Sequence, residues 1–338
     1  MRALQLVAPG SPLELREIPP PQPGPDDIVV DVVAAGICRS DVHYRSGFPQ
    51  VGPLPLTLGH EVAGIVSSAG SLVTDLSPGD RACIHYQVGC GSCSYCVRGF
   101  EQFCHQGKMI GNGRPGGYAD QIMVPQRNVI RVPDKVQLDH AAVMMCSSAT
   151  SLHGLRKGRL RSGESVAVFG AGGLGMSAIQ LALLEGAATV YAVDINPTKL
   201  ERAAGLGAIP VDANNDAVAQ LIETGGVDVA MDLVGSAEVM QQCLQSLAPM
   251  GRAIAVGLTP DTFGVGPYTD LVNGESELIG ASDHLASEIV EILGHAAAGH
   301  LAFDTIVERT VALDASAVNT VLDDLEQFGD AVRTVITP

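Results

Sequence analysis

The stretch SVAVFGAGGLGMSAIQLALLEGA constrains this chain more than any other. Gly170, Gly172 and Gly175 stand in the spacing G-x-G-x-x-G, directly after a short apolar run and directly before a helix-periodic one. That strand, turn and helix setting is what a phosphate-cradling turn requires. The first glycine permits the tight turn, the second admits a pyrophosphate to the backbone, and the third lets helix and strand pack closely, with the anion at the helix N-terminus. Asp194 ends the next apolar run, 19 residues after Gly175. A carboxylate there hydrogen-bonds the adenosine ribose and repels a 2′-phosphate, so NAD is expected over NADP. The competing reading is a packing turn followed by a strand-end cap.

The surroundings repeat that pattern. From about Ser165 onward, strand-like runs alternate with apolar-periodic helices: SVAVFG, TVYAVD, VDVAMDLVG, RAIAVG and ELIGA between MSAIQLALLEGA, PTKLERAAGLGA and VMQQCLQSLAPMG. Strands are expected near 165, 189, 209, 227, 252 and 277, in a doubly wound, parallel, six-stranded α/β domain. Before about Gln137 the texture is short apolar runs broken by Pro and Gly (IVVDVVAAG, VAGIVSSAG, RACIHY, ADQIMVP), which predicts a mainly β domain. After Ser282 come a helix (EIVEILGHAAAGHL), the run IVERTVAL, a helix around VNTVLDDLEQF and a final strand RTVIT. The expected division is 1–147, 148–287 and 288–338, the last segment returning to the first domain. Two domains also suit a chain of 338 residues.

Charge excludes one class of partner. Lys plus Arg number 20 against 37 Asp plus Glu, a formal charge of −17, so no broad face suits a phosphate backbone or anionic lipid. The N-terminal MRALQLVAPGSPLEL is too short in its apolar part for a leader or anchor, and MSAIQLALLEGAA is interrupted by Gln180 and Glu185. A soluble cytoplasmic protein is expected. In that reducing setting the eight cysteines point to metal or catalysis more than to disulfides.

Four of them, Cys90, Cys93, Cys96 and Cys104, lie in GCGSCSYCVRGFEQFC. Thiolates so closely spaced can close a tetrahedral shell with no open position, the signature of a structural Zn²⁺; an iron–sulfur cluster or two disulfides compete. Gly89, Gly91 and Gly99 let the loop wrap the ion. Cys83 and Cys243 read as core residues. Cys38, His60 and Cys146 lie too far apart for any spacing rule to join them, and taken singly they read as buried core side chains.

The segments GICRSDVH, GHE, GCGSCSYC, MCSSATS and GAGGLG, in that order, resemble the zinc-dependent alcohol dehydrogenases of the medium-chain dehydrogenase/reductase superfamily, over nearly the whole chain. The resemblance implies a GroES-like catalytic domain with a structural-zinc lobe, and a second, catalytic Zn²⁺ held by Cys38, His60 and Cys146 with its fourth position open to oxygen. It implies that Ser40 accepts the alcohol proton and His43 passes it to solvent, that Asp41 orients His60, and that Glu61 sits behind the zinc. Arg39 and Arg333 would pair with the pyrophosphate. Gly173, Leu174 and Lys199 would join Gly170, Gly172, Gly175 and Asp194 in holding NAD. Phe48, Tyr86 and Met109 would line a pocket for an alcohol or carbonyl substrate, medium-size aliphatic or aromatic, since Ser40 is smaller than the Thr many relatives carry. The family also implies a homotetramer, or a homodimer, built on the ELIGA edge.

GICRSDVHY is similar as well to the opening of polyol dehydrogenases of the superfamily. Those typically supply a Glu as the later zinc ligand, whereas MMCSSATS offers Cys146 and no carboxylate, which favours simple alcohols. Zinc-free quinone reductases give no reason for the cysteines. A zinc-stabilised protein that carries NAD without turnover is the alternative from another class, and Ser40 with His43 beside an open zinc opposes it.

Overall fold

The computed structural model describes residues 1–304 and 306–338. The chain forms two compact units, one of residues 1–146 with 285–338 and one of residues 147–284. Set beside the expected division, the observed boundaries fall one residue earlier at the first crossing and three earlier at the second.

The second unit is built on a six-stranded sheet in the order Ile209–Asp212, Thr189–Asp194, Ser165–Phe169, Val227–Asp232, Leu247–Ala255, Glu277–Gly280, and every neighbouring pair runs parallel. This is the doubly wound arrangement, at the six places where strands are expected. The central strand explains itself: Val166 to Phe169 are at most 1% exposed, as a strand covered on both faces must be. The helices start where their caps dictate. Asn196 accepts from the backbone N–H groups of Thr198 and Lys199, with Pro197 at the first helical position, and Ser236 accepts from Val239.

The glycine turn behaves as its spacing requires. Gly170 has φ +98°, Gly172 has open space where a side chain would stand, and a Cβ on Gly175 would overlap the Gly170 carbonyl oxygen. The third position therefore admits nothing larger than hydrogen, the second leaves the backbone accessible, and the helix Gly173–Leu184 begins directly behind it.

In the first unit the long strand Asp27–Ile37 is the axis of a seven-stranded sheet. It pairs antiparallel with Glu61–Ala69, with Gln121–Pro125 and with the C-terminal strand Arg333–Thr337. Gly36 is opposite Glu61 on one side and Val335 on the other. That register carries Arg333, from the end of the chain, beside the residues that follow Gly36. The helix Arg39–Ser46 begins there: the Asp41 carboxylate accepts from the Cys38 backbone N–H at 2.9 Å, and Gly47 at φ 91° ends it.

Gly175→Val is expected to force the helix off its strand and cost about 1–3 kcal/mol; a denaturant midpoint equal to that of the unmodified chain would contradict the packing described.

Candidate metal centres and cofactor turn

Cys38, His60, Glu61 and Cys146, distant in sequence, meet in the first unit. One ligand atom from each lies within 4.8 Å of all the others. Cys38 is the N-cap of the helix Arg39–Ser46, and His60 follows Gly59, whose φ is +93°. Cys146 lies in a single π-helical turn, Met144–Ser148, at the end of the helix Leu138–Val143; such turns recur at functional sites.

The donor set fits zinc. The Cys38 and Cys146 sulfurs are 4.0 Å apart, against about 3.8 Å for an edge of a tetrahedron with Zn–S bonds of about 2.3 Å. Both ring nitrogens of His60 and Oε2 of Glu61 are buried with no hydrogen-bond partner, which a protein rarely leaves unexplained. The two thiols act on one another in opposite directions: the Cys146 contact pulls the Cys38 thiol well below its usual range, with burial opposing and His60 assisting, while the Cys38 contact and then burial push the Cys146 thiol well above it.

The buried charges are compensated nearby. Glu61 is fully buried and its Oε1 pairs with the Arg333 guanidinium, itself 3% exposed. Burial pushes the Glu61 carboxyl up to about 8, with Arg333 pulling it back. Arg333 also donates to the Ile37 carbonyl at 3.3 Å. The resemblance assigns Arg333 to a pyrophosphate; the contact found for it is charge compensation behind the metal ligands. Arg39 is half-buried, donating to the Leu325 carbonyl at 2.8 Å with its guanidinium carbon 3.8 Å from the Phe328 ring centroid.

Asp41 is wholly buried, and its Oδ1 stands 3.4 Å from His60 Nδ1. Ser40 Oγ is 3.7 Å from the Cys38 sulfur. His43, three residues on along the same helix and so on the same side, is half-buried; burial first, then Arg39, holds its imidazole below the usual range. Tyr86 is buried with its ring edge-on to His60 at 5.3 Å, and Tyr44 packs similarly at 5.9 Å while its hydroxyl donates to the Met109 sulfur at 3.3 Å. Phe48 is more exposed, its ring 6.3 Å from that of His43.

Sequence reasoning missed Tyr118. It is fully buried, and its hydroxyl donates to Asp41 Oδ2 at 2.8 Å; burial and then that carboxylate push the phenol well above its usual range, keeping it a donor. Tyr118 precedes the strand Gln121–Pro125 and is followed by the equally buried Ala119, so no strand alternation marks it as inward-facing; only the need of a buried tyrosine for an acceptor applies to it.

The four-cysteine lobe is also assembled. Cys90, Cys93, Cys96 and Cys104 form the second ligand cluster, each half-buried, with the Cys90 and Cys96 sulfurs 4.0 Å apart. Backbone donors at Ser92 and Cys93 bring the Cys90 thiol down to about 6, and the Cys90 N–H donates to the Cys104 sulfur at 3.2 Å. All eight cysteines are unpaired thiols. Cys83 and Cys243 are both fully buried, Cys83 within hydrogen-bond reach of the Ile130 carbonyl.

In the second unit, Asp194 Oδ2 accepts the Ala171 N–H at 2.7 Å and Oδ1 accepts the Asn196 N–H at 2.9 Å. The carboxylate is thus tied to the glycine turn and keeps lone pairs for a ribose hydroxyl. The Leu174 carbonyl accepts from Ser151 at 2.8 Å, Gly173 opens the helix, and Lys199 is buried on the first turn of the helix Pro197–Gly205.

Cys104→Ser is expected to lose the lobe's ion and lower the thermal midpoint while the ion at Cys38, His60 and Cys146 is retained; unchanged zinc content and midpoint would refute a structural zinc there.

Comparison with known proteins agrees with this construction. The alcohol dehydrogenase GroES-like domain matches residues 24–134 and the zinc-binding dehydrogenase domain matches residues 173–298. The chain is 33% identical to the NAD-dependent alcohol dehydrogenase of Sulfurisphaera tokodaii, with 100% of each covered. The crystal structure of the alcohol dehydrogenase from Aeropyrum pernix superposes with a TM-score of 0.92 at 31% identity, covering 100% of both chains. A zinc-binding dehydrogenase of Sinorhizobium meliloti, bound to NADP, gives 0.91 at 30%, covering 100% of this chain and 99% of that one. Two metal-ligand clusters, a dinucleotide turn and full-length likeness lead to one conclusion: the chain belongs to the zinc-binding alcohol dehydrogenases of the medium-chain dehydrogenase/reductase superfamily.

Proposed function

We propose that the protein oxidises a primary or secondary alcohol to the aldehyde or ketone with hydride transfer to NAD, reversibly. The observation that carries this reading is the buried convergence of Cys38, His60 and Cys146, whose ligand atoms all lie within 4.8 Å of one another. Zinc held there by these three residues, with Glu61 behind, supplies a Lewis acid that makes an alcohol far easier to deprotonate.

The chain's own groups do the rest. Ser40 Oγ, beside Cys38, takes the alcohol proton, and the His43 imidazole delivers it to solvent; both groups can donate and accept. Asp41 holds the His60 ring, and the buried Tyr86 with Met109 forms an apolar wall that keeps water from the reacting carbon. Arg39, partly exposed, serves the pyrophosphate. Gly170, Gly172, Gly173, Leu174, Gly175 and Lys199 seat the dinucleotide, and Asp194 selects NAD by accepting from the ribose.

The pocket side chains support medium-size hydrophobic or aromatic alcohols over ethanol. Cys146 in place of a carboxylate keeps the polyol reading second. The Glu277–Gly280 strand, at one edge of its sheet with Leu278 38% exposed, supports association into a homotetramer through paired edges. No described helix is long and apolar enough to cross a membrane, and eight unpaired thiols suit a cytoplasmic protein.

With two zinc ions per chain, NADH absorbance is expected to rise with NAD and a panel of alcohols, with kcat/KM at least about tenfold higher for benzylic or secondary alcohols than for ethanol. No absorbance gain from any alcohol would favour the non-catalytic carrier. The oxidation rate should fall as pH drops through the His43 pKa. Because that pKa is held low, the acid limb should lie below about 6.5. His43→Gln should abolish that limb and slow oxidation by roughly 10²-fold; an unchanged profile would remove His43 from the proton path.

A further inference from the structure

We propose that Tyr118 is a positioning residue for the metal corner, its hydroxyl holding Asp41 and, through Asp41, fixing both the His60 ring and the helix start that carries Cys38. This rests on the reading that Cys38, His60 and Cys146 hold zinc.

Tyr118 has little freedom of its own. Its backbone N–H donates to the Leu58 carbonyl at 3.0 Å, and its carbonyl accepts from Leu4 at 2.8 Å. Its ring fills the space where Gly59 lacks a side chain, since a Cβ there would overlap the ring. Gly59 immediately precedes His60. The hydroxyl lies 2.8 Å from Asp41 Oδ2 and 3.3 Å from the Gly36 carbonyl oxygen, and Gly36 is two residues before Cys38. The phenol therefore touches the backbone leading into both ligands. With a single proton to give, it favours the shorter, charge-assisted partner, Asp41.

Asp41 is where these contacts become one device. Its Oδ2 accepts from both Tyr118 and the Cys38 N–H, which leaves Oδ1 turned toward His60 Nδ1, 3.4 Å away. A carboxylate rotates easily about its last torsion. Two donors on the same oxygen stop that rotation, and the imidazole is presented to the metal in one orientation. Loss of a partner of this kind lowers metal affinity by about 10–100-fold.

The test uses the zinc-loaded full chain and the release of zinc to a chromogenic chelator. The unmodified protein should release two ions in separate phases. In Tyr118→Phe the ion at Cys38, His60 and Cys146 should leave about 10–100-fold faster while the four-cysteine lobe's ion leaves at its usual rate. The visible spectrum of Co²⁺ placed at the corner should shift. 3-Fluorotyrosine at position 118, a stronger donor of nearly the same volume, should slow release from the corner. Unchanged release and spectrum in both variants would overturn the proposal. So would equal acceleration of both ions, the mark of a merely structural role. An unmodified chain that binds no ion at Cys38, His60 and Cys146 would overturn the metal reading itself, and with it this inference.

Discussion

An ion pair sealed from water, Arg333 against Glu61, is the constraint on which the metal corner depends. Both side chains are at most 3% exposed, and taking either ion alone out of water would cost several kcal/mol. The Cys38 sulfur close by makes a negative charge on Glu61 harder still to hold, and His60 only partly offsets it. The compensation comes from sheet register. Strand Arg333–Thr337 lies against the last residues of Asp27–Ile37, and the other edge of that strand carries Glu61. Residues 272 positions apart in sequence meet because one strand is shared. The ligand geometry of the corner is thus a consequence of how the chain's end pairs with its beginning.

The two ligand clusters solve different problems with similar atoms. The lobe closes four thiols around one point, uses backbone N–H donors to stabilise negative sulfur, and leaves its cysteines half-buried. Its residues span only Cys90 to Cys104, so the loop itself assembles it. The corner draws on segments from across the first unit, buries every ligand, and mixes sulfur, nitrogen and a carboxylate that is already engaged on one oxygen. A closed all-sulfur shell suits stability. An asymmetric, buried donor set of mixed sulfur, nitrogen and oxygen suits chemistry.

What could be read in the sequence followed the range of the interactions. The glycine turn, the six parallel strands and the four-cysteine lobe are local signals, carried by spacings within a few tens of residues, and each is found in the structure. Cys38, His60 and Cys146 came together on paper only through family likeness, because nothing in their spacing says they meet. The partner of Arg333 was not legible at all, since a guanidinium near the end of a chain carries no mark of which carboxylate it will face. Tyr118 was not legible either: it lies outside the strand Gln121–Pro125, and its bond to Asp41 depended on a helix cap set 77 residues earlier. The π-helical turn at Met144–Ser148 also had no signature in MMCSSATS.

The hydrogen bonds of Asp194 bear on any attempt to redesign this protein for a phosphorylated cofactor. Replacing the carboxylate removes a repulsion, but it also removes the acceptor for the Ala171 and Asn196 amides, which would be left as unmatched donors at about 1–3 kcal/mol each where water cannot reach them. The cofactor preference proposed for Asp194 and the integrity of the loop would then rest on a single side chain. A successful exchange would therefore bring in a short polar residue able to satisfy those amides, together with a cation for the added phosphate.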